Sequence, residues 1–482
     1  MPEKCLPQLI AGKKNRFRGG GKQMHGAVSA VDFAQDTNLT INLARFSSGL
    51  KYRDLPGNVI LVTKQCILDG LGVTLAGSRD PLVTKLISFV RSEGAIPQST
   101  VLGLGDRLSP SQAALVNGSA AHALDYDDVL RPLLGHPTAA ILPVVIALGE
   151  KQSIGGKGII TSFVAGVEIA ARVGAMMGEK HYAKGWHATG TVGTFGAAAA
   201  AAHILKLDAE KTAQCFGIAA TQAAGLKSMF GTECKPLDAG KAAMNGIIAA
   251  ELASRGFSAR TDALECRLGF ADTQTDSYQP DQALEGLGEF FHLLDVKFKY
   301  HASCFGTHAM LDALSIIKNN PVYDQEKVSH IELRVPISSL DVCNIQRPTS
   351  GLQGKFSYSF NAALSILNED TSSLQSYSDE MTQRADIIAV RDMVSVTSAK
   401  NLDRYAADVF VHLGEKTVIT EHGDMGPPVE DYGTQGEKIE HKFRALAEPL
   451  VGHSNATHVV NSIWSLECQP GVGPALSGLA IA

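Results

Sequence analysis

The sequence is poor in the motifs that announce a cofactor. Its eight cysteines, Cys5, Cys66, Cys215, Cys234, Cys266, Cys304, Cys343 and Cys468, form no CxxC pair, which excludes a zinc ribbon or a thioredoxin-type redox pair. HExxH and Walker A sequences are missing, Gly103 and Gly105 are not completed to GxGxxG, and Gly193 sits in no nucleophile elbow. No block of Lys and Arg interleaves with aromatics, and the formal net charge is -6, so the footprint of a nucleic-acid binder is lacking. The one basic cluster, Lys13, Lys14, Arg16, Arg18 and Lys22, lies in a Gly-rich stretch read as a flexible tail over 1–24. Apolar runs such as 155–164 are short and broken, and none is expected to reach the roughly 20 residues of a membrane span. Free thiols and the lack of a secretory apolar stretch lead to an expected cytoplasmic location.

What is present is a globular composition, 45% apolar and 19% charged over 482 residues, too long for one ordinary core. Helical spacing dominates from about 27 to 275. It predicts helices over 58–76, 81–93, 109–121, 139–149, 158–178, 191–205, 209–225 and 238–254. Ser109-Pro110 supplies an N-cap and a first-turn proline. The stretch 191–203 is apolar on every side, which requires other helices around it. Near 275 the pattern changes. Alternation over 328–335 and β-prone runs over 387–396 and 409–420 predict strands, with helices expected over 356–367 and 382–385. Amphipathic helices return within 433–468, and 469–482 reads as a frayed end. The expected fold is mostly α: a helical domain over 25–278, an α/β domain over 279–425, and a segment over 426–482 returning to the helical part.

Four clusters carry chemistry. His122-Ala-Leu-Asp125-Tyr-Asp127-Asp128, followed by Gly135-His136-Pro137, crowds three carboxylates at a helix end. Such carboxylates are costly unless paired, solvated or used; they either cap a loop or set the tautomer of a histidine. Trp186-His187-Ala-Thr189-Gly-Thr opens a helix whose N-terminal NH groups suit a carboxylate. In Glu233-Cys-Lys235-Pro-Leu-Asp238, Lys235 precedes a helix start and is either a carboxylate ligand or a surface lysine. Lys297-Phe-Lys299-Tyr-His301-Ala-Ser303-Cys304-Phe-Gly-Thr-His308 marks the inter-domain boundary, where a cleft is expected. His301, Cys304 and His308 could suggest a metal site, but their spacing alone is weak and no CxxC or HExxH accompanies it.

These four blocks, in this order, resemble the MmgE/PrpD family, whose members include 2-methylcitrate dehydratase, cis-aconitate decarboxylase and an epimerase of iminodisuccinate. The likeness runs from about residue 30 to 465. It implies a helical domain built from both ends of the chain, an α/β lid, a cleft between them, a homodimer and no cofactor. It places active-site roles on Asp125, His136, His187, Lys235 and Lys299, with Arg131, Thr189, His301, Ser303 and Tyr358 as expected substrate contacts. Lys235 and Lys299 are expected to hold carboxylates, His136 and His187 to move protons, and Asp125 to orient an imidazole. Three positions depart from the family's decarboxylases: Val129 replaces a Thr, Asp238 a common His, and Phe360 a lid Tyr, with Tyr358 two residues away. They favour a hydro-lyase acting on a small hydroxylated di- or tricarboxylate of the 2-methylcitrate type. The alternatives are an epimerase or isomerase of a substituted succinate such as iminodisuccinate, or a decarboxylase of an unsaturated tricarboxylate. Outside enzymes, the competing reading is a carboxylate sensor or carrier without turnover.

Overall fold

The computed structural model describes residues 38–479; the tail expected over 1–24 lies outside the described residues. The body is a packed set of helices: α1 (Gly57–Gly77), α2 (Pro110–Ala123), α3 (Pro137–Gln152), α4 (Gly156–Ala183), α5 (Ala188–Ile204) and α6 (Cys234–Ser254). Ser109 caps α2 by accepting from the Gln112 NH, with Pro110 in the first turn. In α5 every residue but His203 is buried, as an apolar circumference demands. Small residues let the helices close up. A Cβ on Gly118 of α2 would stand 2.9 Å from Gly240 Cα of α6, so glycine at both positions brings these backbones together. That approach sets the start of α6 opposite the end of α2.

Among the described residues two helices, α1 and α4, are long and apolar enough to cross a membrane, contrary to the expectation that no stretch comes near that length. Both are mostly buried by other helices, so here they are core helices. At Gly178 α4 is broken by a backbone at φ 62°, a conformation suited to glycine.

The smaller region holds α7 (His308–Lys318), β1 (Val328–Pro336), α8 (Tyr358–Ile366), β2 (Val394–Ala399), β3 (Ala406–Leu413) and β4 (Thr417–Asp424). The sheet order is β2-β1-β3-β4. β1 and β2 are parallel with Leu333 opposite Val396; β1 and β3 are antiparallel with Leu333 opposite Val409. Ile331, Leu333 and Val335 point into a core shared with Leu314 of α7 and Ala362 of α8. The run over 409–420 resolves into a hairpin turning at Gly414, φ 63°. The run over 387–396 is a correction: 385–391 is helical and the strand starts only at Val394. Ile387 is drawn into a cluster with Phe360 and Tyr377; for so short an apolar run tertiary packing outweighs β-propensity. The helix expected over 382–385 lies instead at Asp379–Gln383.

After the sheet, α9 (Tyr432–Val451) and α10 (His453–Trp464) follow. One continuous core joins residues of 39–298 with Ile439, Phe443, Val459 and Ile463. The expected frayed end is a second correction. Gly473–Ser477 is helical, and Val472, Ala475, Leu476 and Leu479 are buried in that core, because their apolar side chains would otherwise be left in water.

Candidate active site

The site is organised around the loop that leaves α2. Asp125 adopts φ 50°, a left-handed conformation that Asp tolerates better than most residues. Three lysines from distant parts of the chain hold three successive carbonyls of this loop. Lys355 donates to Leu124 O, Lys299 to Asp125 O at 2.6 Å, and Lys442 of α9 to Tyr126 O at 2.7 Å. The Asp125 carboxylate takes Lys235 on Oδ1 and lies 3.3 Å from Lys299 Nζ through Oδ2. Lys442 also reaches Asp69 Oδ1 at 2.7 Å. All of these groups are buried, and buried charges persist only when paired in this way.

Three histidines gather near the same loop. His122, in the last turn of α2, bonds through Nδ1 to Asp127 Oδ2 at 2.9 Å. Asp127 Oδ2 is also 3.2 Å from His136 Nδ1. The His122 and His136 ring centroids are 4.4 Å apart, and His187 stacks on His122 at 5.8 Å. His187 Nδ1 bonds Asp238 Oδ2 at 2.9 Å. With Nδ1–H given to a carboxylate, Nε2 carries the lone pair. The Nε2 atoms of His122 and His187 are buried without a partner, free to take up a proton. Thr189 Oγ1 accepts the His136 NH at 3.1 Å and so fixes the backbone ahead of α3. Beneath it, Thr138 donates to Asp128 through Oγ1 at 2.5 Å and through its NH at 3.2 Å.

Burial sets the protonation states. It pushes His122 and His187 down to about 4 and lowers His136, so the imidazoles are neutral near pH 7. Burial alone would raise the Asp125 carboxyl, but Lys235 and Lys299 overcome it and hold it well below the carboxylate range. Asp128, buried and near Asp69 and Asp127, is pushed up to about 8 and is protonated at neutral pH. Burial brings Lys355 down to about 8, against the pull of Asp125.

Residues 41–283 match the MmgE/PrpD N-terminal domain, and residues 301–466 match the MmgE/PrpD C-terminal domain. The chain belongs to the MmgE/PrpD family. It is similar to proteins named cis-aconitate decarboxylase. The mouse protein is 28% identical over 451 residues, covering 89% of this chain and 91% of the relative. That of Aspergillus terreus is 25% identical over 477 residues, covering 93% and 97%. The human protein is 28% identical over 451 residues, covering 89% and 92%. Membership makes this an MmgE/PrpD-type enzyme.

In this MmgE/PrpD site, His136, His187, Lys235, Lys299 and Asp125 come together from five segments. The expected role of Asp125 needs correction. It pairs with lysines, and the imidazoles are oriented instead by Asp127 and Asp238. Lys235 also lies inside α6 rather than before it. Arg131 is half-exposed and paired with Asp403 at 2.9 Å, outside the lysine–histidine cluster. His301 bonds Thr371 at 2.7 Å and lines a cavity of about 540 Å³ with Tyr126 and Lys442. Ser303 bonds Thr307 at 2.8 Å, and Tyr358 donates to Gly306 O at 3.0 Å from within the sheet's core. Sequence reading missed His122 and Lys355. His122 carried a signal, an Asp five positions on across a turn; Lys355 carried none, since only the fold brings it to Leu124.

Donor atoms of His122, Asp125, Asp127 and His136 lie within 4.8 Å of one another, close enough to surround a metal ion. Yet Asp125 is already neutralised by two ammonium groups and Asp127 bonds an imidazole. A divalent cation would have to displace lysine, so the donor set fits an ion-paired anion-binding array better than a metal cage.

Proposed function

We propose that this chain is a cofactor-independent lyase that decarboxylates an unsaturated tricarboxylate of the cis-aconitate class. The observation that carries this reading is the buried array of Lys235, Lys299 and Lys355 facing neutral His122, His136 and His187. Support also comes from relatives named cis-aconitate decarboxylase that align along nearly the whole chain. They move the weight from the hydro-lyase, favoured on the sequence departures, to the decarboxylase.

The chemistry follows from the substrate. A carboxylate on the carbon next to a C=C bond can leave as CO₂. The electrons of the broken C–C bond form a new terminal C=C, and the old double bond shifts onto the adjacent carboxylate as an enolate. A buried ammonium near that carboxylate stabilises the enolate more than the ground state, because charge concentrates there as the reaction proceeds. A proton then returns to the α-carbon. Binding a polyanion raises the affinity of the nearby imidazoles for protons, so His136 or His187, loaded as imidazolium, delivers it.

One observation favours a second reading. The Asp238–His187 pair at 2.9 Å is built like a general base, which dehydration of a 2-methylcitrate-type acid requires and decarboxylation does not. Incubation in heavy water with each acid separates them. The proposal requires CO₂ release and one deuterium in the new CH₂ group from cis-aconitate. Alkene formation from the hydroxy acid without CO₂ would establish the hydro-lyase instead; inversion with deuterium uptake and no alkene would establish the epimerase.

A further inference from the structure

The lysines of the site are already engaged, which raises the question of what binds the remaining carboxylate arm. Beside the histidines, a cavity of about 90 Å³ separates the body from the lid, lined by His136 on one side and by Arg404, Tyr405, Ser339, Cys343 and Gly306 on the other. At about 10–15 Å³ per water-sized group, it holds roughly six to nine such groups, room for a carboxylate arm. Arg404 is the one Arg or Lys among the described residues that line it.

The surroundings of Arg404 are those of a cation held in waiting. Its side chain is only 17% exposed, yet its one carboxylate partner among the described residues is Glu179 of α4 at 3.3 Å, itself 75% exposed. A pair with one member in water is weak. The guanidinium carbon stands 5.0 Å over the Tyr182 ring, which orients its plane. By contrast, Lys235 and Lys299 share the fully buried Asp125. Arg131 is tied to Asp403, next to Arg404 in the chain, and lines a separate groove of about 520 Å³. A planar guanidinium with spare N–H donors matches a carboxylate better than any other group facing the cavity.

We propose that Arg404 is the substrate-binding cation of the lid, that it takes the carboxylate farthest from the reacting carbon, and that it thereby selects tricarboxylates over dicarboxylates. Glu179 is its resting counter-ion and yields it when substrate binds. The inference rests on the polycarboxylate reading above but not on which bond breaks.

The test is calorimetric binding of tricarballylate, a saturated tricarboxylate that offers no allylic route to CO₂ loss, and of methylsuccinate, which lacks one terminal carboxylate. The full-length wild type is compared with Arg404→Ala, Arg404→Lys and Glu179→Gln, each checked by circular dichroism. Arg404→Ala is expected to weaken tricarballylate by about 10- to 100-fold, the range of a charge-assisted hydrogen-bonded pair, while methylsuccinate changes by less than about twofold. Arg404→Lys recovers part of the loss. With turnover as the readout, KM rises and kcat changes little. Equal losses for both acids, no loss, or a fall in kcat at constant KM overturns the inference. Glu179→Gln, at an exposed position, keeps the test decisive should Arg404→Ala misfold. Tricarballylate should bind about 1.5- to 5-fold more tightly when the competing carboxylate is gone, and no gain overturns the inference. In the double variant that gain should vanish. Discrimination between the acids without CO₂ release from cis-aconitate sinks the decarboxylase and leaves Arg404 standing. Turnover with unchanged discrimination does the reverse.

Discussion

Replacing Asp125 by Asn removes one negative charge from a place where Lys235 and Lys299 both depend on it. Asn accepts the left-handed backbone at φ 50° as readily as Asp, so the change isolates the charge. Two buried ammonium groups then lose the carboxylate they share, a loss of about 3–5 kcal/mol for breaking a buried pair. With unfolding entropy near 2.1 cal/mol/K per residue over the described residues 38–479, each kcal/mol is worth roughly 1 °C, so Tm should fall by roughly 3–5 °C at pH 7. The pH dependence follows from the same loss. Without Asp125, burial, which Asp125 otherwise offsets, holds Lys299 below its unfolded value of about 10.4. A base with a depressed folded pKa costs stability when it must be charged, and that cost fades as pH rises and the proton leaves. The deficit relative to wild type should therefore shrink between about pH 7 and 10. Scanning calorimetry across that range measures it. A variant as stable as wild type at pH 7, or a deficit that grows with pH, refutes the charge accounting around Asp125.

Lys235→Met should lower kcat/KM by about 10²–10³, as removal of a preorganised electrostatic contact does, and steady-state kinetics with the preferred acid reads this directly. Asp238→Asn should lower kcat by about 10²–10⁴ if His187 moves a proton. Because Asp238 opposes the burial that depresses His187, NMR titration should find its pKa lower still in the variant; an upward shift refutes the pairing. The neutral histidines make stability sensitive to acid. His122 and His187 titrate at about 4 in the folded chain and near 6.5 unfolded, so the unfolded state binds more protons between those values. Stability should fall as pH drops from about 6.5 to 4, by up to about 1.4 kcal/mol per pH unit for each; His122→Gln should flatten the acid limb of Tm against pH.

Much of the site was legible because its parts sit in local motifs. His136-Pro137 places a histidine at a helix N-cap that Pro in the first turn marks, whereas His187, read in a loop ahead of a helix at 191, caps a helix that already starts at Ala188. The carboxylate run over 125–128 announced charge that had to be compensated. Which charge compensated which was not legible. Asp125, Asp127 and Asp128 look alike in sequence, yet one is paired to lysines, one to histidines, and one is protonated against Thr138. That sorting depends on neighbours up to 174 residues away.

The sequence by itself determined the helical body, the strand alternation over 328–335 and most of the charged and imidazole side chains that the fold gathers around Asp125. Apolar spacing and backbone stereochemistry act over a few residues and can be read from them. The tertiary structure decided that 385–391 is helix, that the C-terminal turn is core, that Lys355 reaches the loop after α2 and that Arg404 lines the cavity beside His136. These outcomes turn on burial and charge pairing between distant segments, energies that exist only once the chain has closed on itself.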